Sequence, residues 1–349
     1  MIIQNARALG SFAGPVLVIG TGSIGARHLA ALRGLCASPP IALPVRTGRE
    51  GAPELAFARV VSSFAEAAAL NPVAAIIATD TSRHLEDAAK CLEAGCHVLV
   101  EKPLSATLSG VRALIDLGRS TGRRVHVACC LRFHQTVTRF RELLPLLGRV
   151  HDVRIECQSY LPDWRPGRDY RTSYSARASE GGALRDLIHE VDYAMWLFGR
   201  PVRIFASLRN TGSLGIEAEE SASLSWEVAP SGPGVHGGPH VSLQLDYLTR
   251  PSRRILRADG EHGTLTADLI AQTVSLSHVT PGGVEVANHA APQDRDAMMV
   301  AQAAAFLAHA ASGAPSVAAT IDDGAAAVAV CDAARASSAS RSVTELPSW

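Results

Sequence analysis

The chain lacks the features that mark extracellular, membrane-spanning or polyanion-binding proteins. Its seven cysteines, Cys36, Cys91, Cys96, Cys129, Cys130, Cys157 and Cys331, are odd in number, with no C-x-x-C spacing and no histidine-rich companion motif. That pattern argues against a disulfide framework and a cysteine-bound metal. It fits reduced thiols in a cytosolic, cytoplasmic protein, several of them acting as small apolar side chains. Neither charge sign is in excess, with 33 basic and 33 acidic residues and no lysine or arginine run. A balanced chain lacks the long-range positive field that nucleic acid binding needs, so a small-molecule partner is expected. No stretch reaches the roughly 18 uninterrupted apolar residues of a membrane helix, and "MIIQNARALGSFAGP" has no basic region followed by a clean apolar run. Neither a membrane partner nor an export signal is predicted.

What is present is length and a strong alternation of strand and helix. At 349 residues the chain exceeds the usual single domain, which predicts two. "VLVIG" (16–20) has the continuous apolar character of a strand buried on both faces, and it leads into the helical "TGSIGARHLAALRGL". In that context Gly20, Gly22 and Gly25 form G-x-G-x-x-G, with Ser23 and Ile24 between them. The first glycine permits a tight turn, the second admits a pyrophosphate, the third allows close helix packing, and the helix N-terminus faces the phosphates. The acidic residue expected about 20 positions on is replaced by Arg46, with Thr47 and Arg49 beside it. A guanidinium suits a 2′-phosphate and stacks on adenine, so NADP is expected in preference to NAD. Glu50 is the alternative partner for a ribose.

The rhythm continues through "VAAIIATD", "SRHLEDAAKCLEAG", "HVLVEKP", "LSGVRALIDLGRSTG" and "RVHVACC", which predicts a parallel sheet. Ligands of such sheets sit at the carboxyl ends of the strands, where Thr79, Asp80, His84, Glu101, Lys102 and Arg132 fall. After residue 200 the pattern changes to strand-like alternation in "ESASLSWEV", "HVSLQLDYL" and "RRILRADG", with "APSGPGVHGGP" as a hairpin connection.

Between these regions "GGALRDLIHEVDYAMWLFG" (181–199) reads as one helix, ended by Gly199 and Pro201. At about 100° per residue, Asp186, His189, Glu190 and Tyr193 share one arc, opposite Leu184, Leu187, Ile188, Val191, Met195 and Phe198. By itself such an arc fits a solvated face as well as a catalytic one.

Taken together, "GTGSIGARH", "IIATDTSRH", "EKPLS", "LRFH", the 181–199 segment, "ADGEHGTL" and "TIDDGAAAVAVCDAARASS" resemble the Gfo/Idh/MocA family, which includes glucose-fructose oxidoreductase and inositol dehydrogenase. The resemblance spans most of the chain. It implies an α/β Rossmann domain (1–132), an α+β domain with an open, mostly antiparallel sheet (133–315), and a C-terminal helix returning to the Rossmann domain (316–349), with 322–337 packed against it. The sheet face of such proteins implies a homodimer or homotetramer. The implied proton-handling residues are Lys102 and His189, with Asp186 orienting the ring or binding substrate. Here Asp186 stands three residues before the histidine instead of the family's four, so Glu190 and Asp192 compete for its role. His189, Glu190 and Asp192 lack a third spaced ligand, and no metal is expected.

The expected cofactor contacts are Gly20, Gly22, Ser23, Ile24, Gly25, Arg46, Thr47, Thr79, His84, Glu101 and Lys102. Before the catalytic segment, "YLPDWRPGRDYRTSYSAR" (160–177) gathers Arg165, Arg168, Arg171 and Arg177 with Trp164, Tyr170 and Tyr174. Arginine forks match carboxylate or phosphate and aromatic rings stack on sugars, so a sugar-like substrate, anionic or nucleotide-linked, is expected to meet Arg132, Trp164, Arg168, Tyr174, Asp186 and His189. A solvated loop or a subunit contact is the plainer alternative. The expected activity is hydride transfer between a nicotinamide and a hydroxyl or carbonyl group. Its rivals are a redox-neutral glycosidase or epimerase with tightly bound NAD, and a non-catalytic dinucleotide-binding regulator.

Overall fold

Four consecutive apolar side chains, Val16–Ile19 (β1), are each exposed by 2% or less. Only a strand covered on both faces can bury such a run, and β1 lies inside a parallel sheet. The computed structural model describes residues 12–46, 51–229, 237–294 and 296–346, so Thr47, Arg49 and Glu50 lie outside the described residues. The chain forms two compact units: residues up to Phe133 together with Asp294–Ala325, and His134–Gln293 together with Ala326 onward.

In the first unit β1 is joined by β2 (Ile41–Leu43), β3 (Arg59–Val60), β4 (Ala74–Ile77), β5 (His97–Val100) and β6 (Val125–Val127) in the order β6-β5-β4-β1-β2-β3. All these pairs are parallel, and the short strand Ala319–Thr320 adds an antiparallel edge to β6. Helices α1 (Ser23–Leu32), α2 (Phe64–Ala68), α3 (His84–Glu93) and α4 (Val111–Thr121) make the crossovers. The chain turns outward in opposite directions from β1, to β2 on one side and β4 on the other, so the ligand crevice belongs at the carboxyl ends of these two strands.

The second unit contains α5 (Gln135–Leu143), β7 (Val150–Gln158), α6 (Ala183–Asp186), α7 (Ile188–Phe198) and the strands β8 (Pro201–Arg209), β9 (Ser221–Val228), β10 (His240–Asp246), β11 (Arg253–Gly260), β12 (Gly263–Asp268), β13 (Thr273–Thr280) and β14 (Gly283–Ala290). Their order is β14-β13-β12-β11-β7-β10-β9-β8, with Thr344–Glu345 beside β8; only β7 and β10 pair in parallel. Burial alternates along β7: Val153, Ile155 and Cys157 face the core while Arg154 and Glu156 face away. One face of this sheet is thus covered and the other is open, as period-two sequence requires.

Two expectations are corrected. The segment 181–199 is two helices, because Leu187 leaves helical geometry (φ −95°, ψ 27°) and breaks the phase between Asp186 and His189. The expected 133–315 domain also loses its last stretch, because Asp294–Ala325 belongs with the first unit. The helix Ala297–Ser312 belongs with the first unit, where Met299, Ala303, Phe306 and Leu307 pack with Val16, Leu29 and Leu32. The helix Ile321–Ser340 belongs to the second unit from Ala326 onward. Its last turns are tied there by serine side chains: Ser337 and Ser338 accept the β8 backbone N–H groups of Ala206 and Leu208, each at 2.9 Å.

Candidate active site

The glycine turn between β1 and α1 meets each steric demand of a phosphate-binding loop. Gly20 has φ +90°, and a Cβ there would lie 2.4 Å from the Ala78 carbonyl oxygen. A Cβ on Gly25 would lie 1.9 Å from the Gly20 oxygen, so turn and helix touch backbone to backbone. Gly22 is different: among the described residues nothing lies within 4 Å of a Cβ placed on it. Gly22 and Ser23 are exposed at the start of α1, where the first-turn N–H groups have no intrahelical partner. An open cradle above a helix N-terminus fits a dinucleotide pyrophosphate. At the end of β4, the buried Thr79 hydroxyl has no partner among the described residues, a second polar group suited to the same ligand.

Around this cradle the predicted residues divide by what they touch. Arg46, beyond β2, reaches Asp80 with Nη2 at 3.1 Å and remains 71% exposed, so its guanidinium stands at the surface beside the crevice. Glu101 and His84, expected to contact the cofactor, are engaged in shaping the Lys102 turn. The His28 ring on α1 meets Glu101 Oε1 at 2.7 Å, and Glu101 Oε2 accepts the Lys102 backbone N–H at 3.1 Å. Burial works to raise the Glu101 carboxyl, but the His28 hydrogen bond and the positive charge around it prevail and hold it below its ordinary range. The His84 ring lies between the Thr79 and Pro103 carbonyls, 3.1 and 2.8 Å from its nitrogens. Arg132, expected to bind substrate, is 4% exposed and donates to Asp323 at 3.2 Å, so its charge is committed within the first unit. His28 escaped sequence reasoning, although it is the histidine that ends "GARH".

The second unit positions His189 and Asp186 separately. Gly181 and Gly182 are required before α6, because side chains there would strike the Tyr174 carbonyl and the Glu219 carboxylate, each at 2.2 Å. Glu219 in turn accepts the Leu184 N–H at the start of α6 and pairs with Arg335 at 3.0 Å, a role no local motif announced. Asp186 Oδ2 accepts the Tyr247 hydroxyl at 2.7 Å, with both residues buried. Burial, and after it the Asp186 charge, keep the Tyr247 hydroxyl well above its ordinary range, so it remains a donor. Trp164 stands edge-on to Tyr247 at 5.4 Å and donates to Ser159 at 2.9 Å.

His189 is half-buried, whereas Glu190, Asp192 and Tyr193 are exposed by 1% or less. The expected polar arc is therefore interior rather than lining a cleft. Glu190 pairs with Arg254 at 2.7 Å, beside Cys157, whose thiol burial raises to about 12. Glu190 is thereby removed from competition for the Asp186 role. In the loop before α6, Leu161 and Ala176 join Ala183, Leu214, Ile216 and Tyr247 in a small core. Trp164, Arg165, Arg168, Arg171 and Tyr174 are left exposed on a fixed base.

Residues 15–129 match the oxidoreductase family with an NAD-binding Rossmann fold of the Gfo/Idh/MocA type, and residues 145–266 match the Gfo/Idh/MocA C-terminal domain. The dTDP-3,4-didehydro-2,6-dideoxy-alpha-D-glucose 3-reductase of Streptomyces violaceoruber is 30% identical over 181 residues, 51% of this chain and 49% of that protein. A D-xylose 1-dehydrogenase (NADP(+)) of Haloferax volcanii is 30% identical over 135 residues, 38% of this chain and 40% of that protein. The chain thus spans half or less of the length of these relatives. An oxidoreductase domain protein from Kribbella flavida shares the fold, with a TM-score of 0.84 over 97% of this chain and all of that one, at 18% identity. No helix among the described residues is long and apolar enough to cross a membrane.

Proposed function

This chain belongs to the Gfo/Idh/MocA family of NAD-binding oxidoreductases, and from that premise we propose that it transfers a hydride between a nicotinamide dinucleotide and a hydroxyl or carbonyl carbon of a sugar-like substrate. The observation that carries the proposal is the open cradle at Gly22 above the α1 N-terminus, in the same unit as a Lys102 turn braced from both sides. Gly20, Gly22, Ser23, Ile24 and Gly25 hold the pyrophosphate, and Thr79 and Lys102 lie at the strand ends nearest the crevice. Arg46 favours the 2′-phosphate of NADP over NAD: its charge is exposed, and the Haloferax relative is named for NADP.

When bound, the dinucleotide supplies the hydride acceptor or donor. The chain must then move the hydroxyl proton. Lys102 and His189 do so, and Asp186, held by the Tyr247 hydroxyl, orients the His189 ring or binds substrate. Trp164, Arg168 and Tyr174, exposed on their anchored loop, suit the rings and negative charge of an anionic or nucleotide-linked sugar. The dTDP-sugar reductase among the relatives supports that class. The open face of the nine-stranded sheet, where Phe205 and Val202 are about half exposed, is the proposed homodimer or homotetramer contact.

The test is absorbance of reduced nicotinamide across inositols, aldoses, uronic acids and nucleotide sugars, with both dinucleotides, for wild type and Lys102→Ala. Turnover that falls by about 10²- to 10⁴-fold in the variant is expected for a lost proton-transfer group. A dinucleotide that copurifies, does not exchange, and shows no net reduction on any substrate favours the redox-neutral alternative.

A further inference from the structure

The first unit carries a second pocket, at the amino end of β6, whereas the glycine cradle lies at the carboxyl ends of the strands. Its volume is about 370 Å³, and its lining includes Arg119, Arg123, Arg124, His126, His309 and Asp322. Arg119 is paired with Asp116 at 3.6 Å, but among the described residues Arg123 and Arg124 meet no carboxylate. They meet imidazoles instead. The Arg124 N–H donates to His97 Nδ1 at 3.2 Å, Arg123 faces His97 Nε2 at 3.4 Å, and the Arg124 guanidinium faces His309 Nε2.

His126 on β6 is 4% exposed; its Nδ1 donates to the Ala319 carbonyl at 3.2 Å and its Nε2 is buried without a partner among the described residues. The His126 and His309 rings stand edge to face at 4.9 Å. All three imidazoles are held below their ordinary range, first by burial and then by the surrounding cations, His126 at about 4. The C-terminal end of α4 and the N-terminal end of the helix Ile321–Ser340 both line the pocket, and their opposite dipole ends offset each other. The guanidinium charges therefore set its sign, and exposed Asp322 is the sole carboxylate among the lining residues.

We propose that this pocket binds a phosphate-class anion gripped by Arg123 and Arg124, and that binding draws a proton from solvent onto the His126–His309 pair. An anion supplies the charge partner the two arginines lack, and it offsets the cation repulsion that adds to burial in keeping the imidazoles neutral. The proposal is independent of the catalytic reading, because its readout is equilibrium binding.

The experiment is calorimetric titration of the full chain with sodium sulfate and with inorganic phosphate, with NADP saturating so that the glycine cradle is filled. Sulfate keeps its charge as pH changes, so a pH-dependent affinity reports protein groups. The expected result is one bound sulfate whose affinity falls as pH rises from about 5 to about 7, by up to about tenfold per unit for each proton taken up. Arg123→Ala with Arg124→Ala, both on exposed side chains, lowers affinity at least about tenfold. His126→Gln with His309→Gln keeps binding but flattens its pH dependence. A parallel titration with adenosine 5′-monophosphate separates the sources: tighter binding than phosphate upholds the site as one for a phosphorylated metabolite, and equal binding upholds it as one for free phosphate. No sulfate or phosphate binding by wild type, or equal binding by the double arginine variant, overturns the proposal. A pH-independent affinity in wild type overturns its proton-linked part.

Discussion

Tyr247→Phe removes one oxygen and keeps the ring that packs edge-on against Trp164. The lost group is a donor to Asp186 at 2.7 Å, and both residues are buried, with exposures of 0% for Tyr247 and 6% for Asp186. A hydrogen bond to a carboxylate in such a place is worth about 1.5–3 kcal/mol. At 1.4 kcal/mol per factor of ten, that is about a 10- to 150-fold loss in the folding equilibrium. It is read as a lower urea midpoint at unchanged slope. If Asp186 supports proton transfer by His189, kcat falls as well, because the carboxylate is held less firmly, while KM for the dinucleotide is unaffected. A stability change below about 0.5 kcal/mol, the range of ordinary surface substitutions, refutes the claim that this bond is a buried strut. A normal kcat in a destabilised variant refutes the role given to Asp186.

Gly22→Ala is expected to leave the melting temperature unchanged while weakening dinucleotide binding at least tenfold, whereas Gly25→Ala, whose Cβ meets the Gly20 oxygen at 1.9 Å, destabilises the first unit; thermal melts with and without cofactor separate the two. Arg46→Ala lowers NADP affinity by about tenfold or more and leaves NAD affinity nearly unchanged, as fluorescence titration with both dinucleotides would show. Arg254→Met strands Glu190, which is fully buried, at a cost of about 3–5 kcal/mol, and Glu190→Gln added to it recovers part of that loss in denaturant titration. His126 is neutral in the fold and its pKa falls from 6.5 to about 4 on folding, so the unfolded chain takes the proton first as pH drops. Its contribution is complete above pH 6.5 and is lost progressively between 6.5 and about 4, by about 3 kcal/mol at 1.4 kcal/mol per unit; His126→Gln flattens that part of the stability–pH curve.

The first unit was legible where backbone demands fix residue type. Only glycine accepts φ +90° at Gly20 or the backbone contact at Gly25, and a strand covered on both faces announces itself as "VLVI". Contacts that only the sheet creates were not legible. His28 and Glu101 are 73 residues apart, and nothing near either one names the other; parallel pairing brings the middle of α1 and the end of β5 together. The same holds for Glu219, which caps α6 from 35 residues away. The place where the C-terminal helix changes units was not legible for another reason: Ala325–Ala329 are all buried, so that stretch has no polar side from which a partner surface could be inferred.

The 181–199 segment shows a different limit. Sequence offered a solvated face or a catalytic one, and both assume that polar residues on one arc point out of the unit that carries them. They also assume one unbroken helix. Leu187 breaks the phase, so Asp186 answers to the Tyr247 hydroxyl rather than to the register of α7. Beyond the break Glu190 turns into the unit, where a buried carboxylate is tolerable only because Arg254, 64 residues away, meets it. Side-chain polarity reports the cost of burial; whether that cost is met by a partner is decided by topology. Of the four residues on the arc, only His189 stays half-buried, and it alone keeps the partial solvent access that the proposed proton-shuttling imidazole needs.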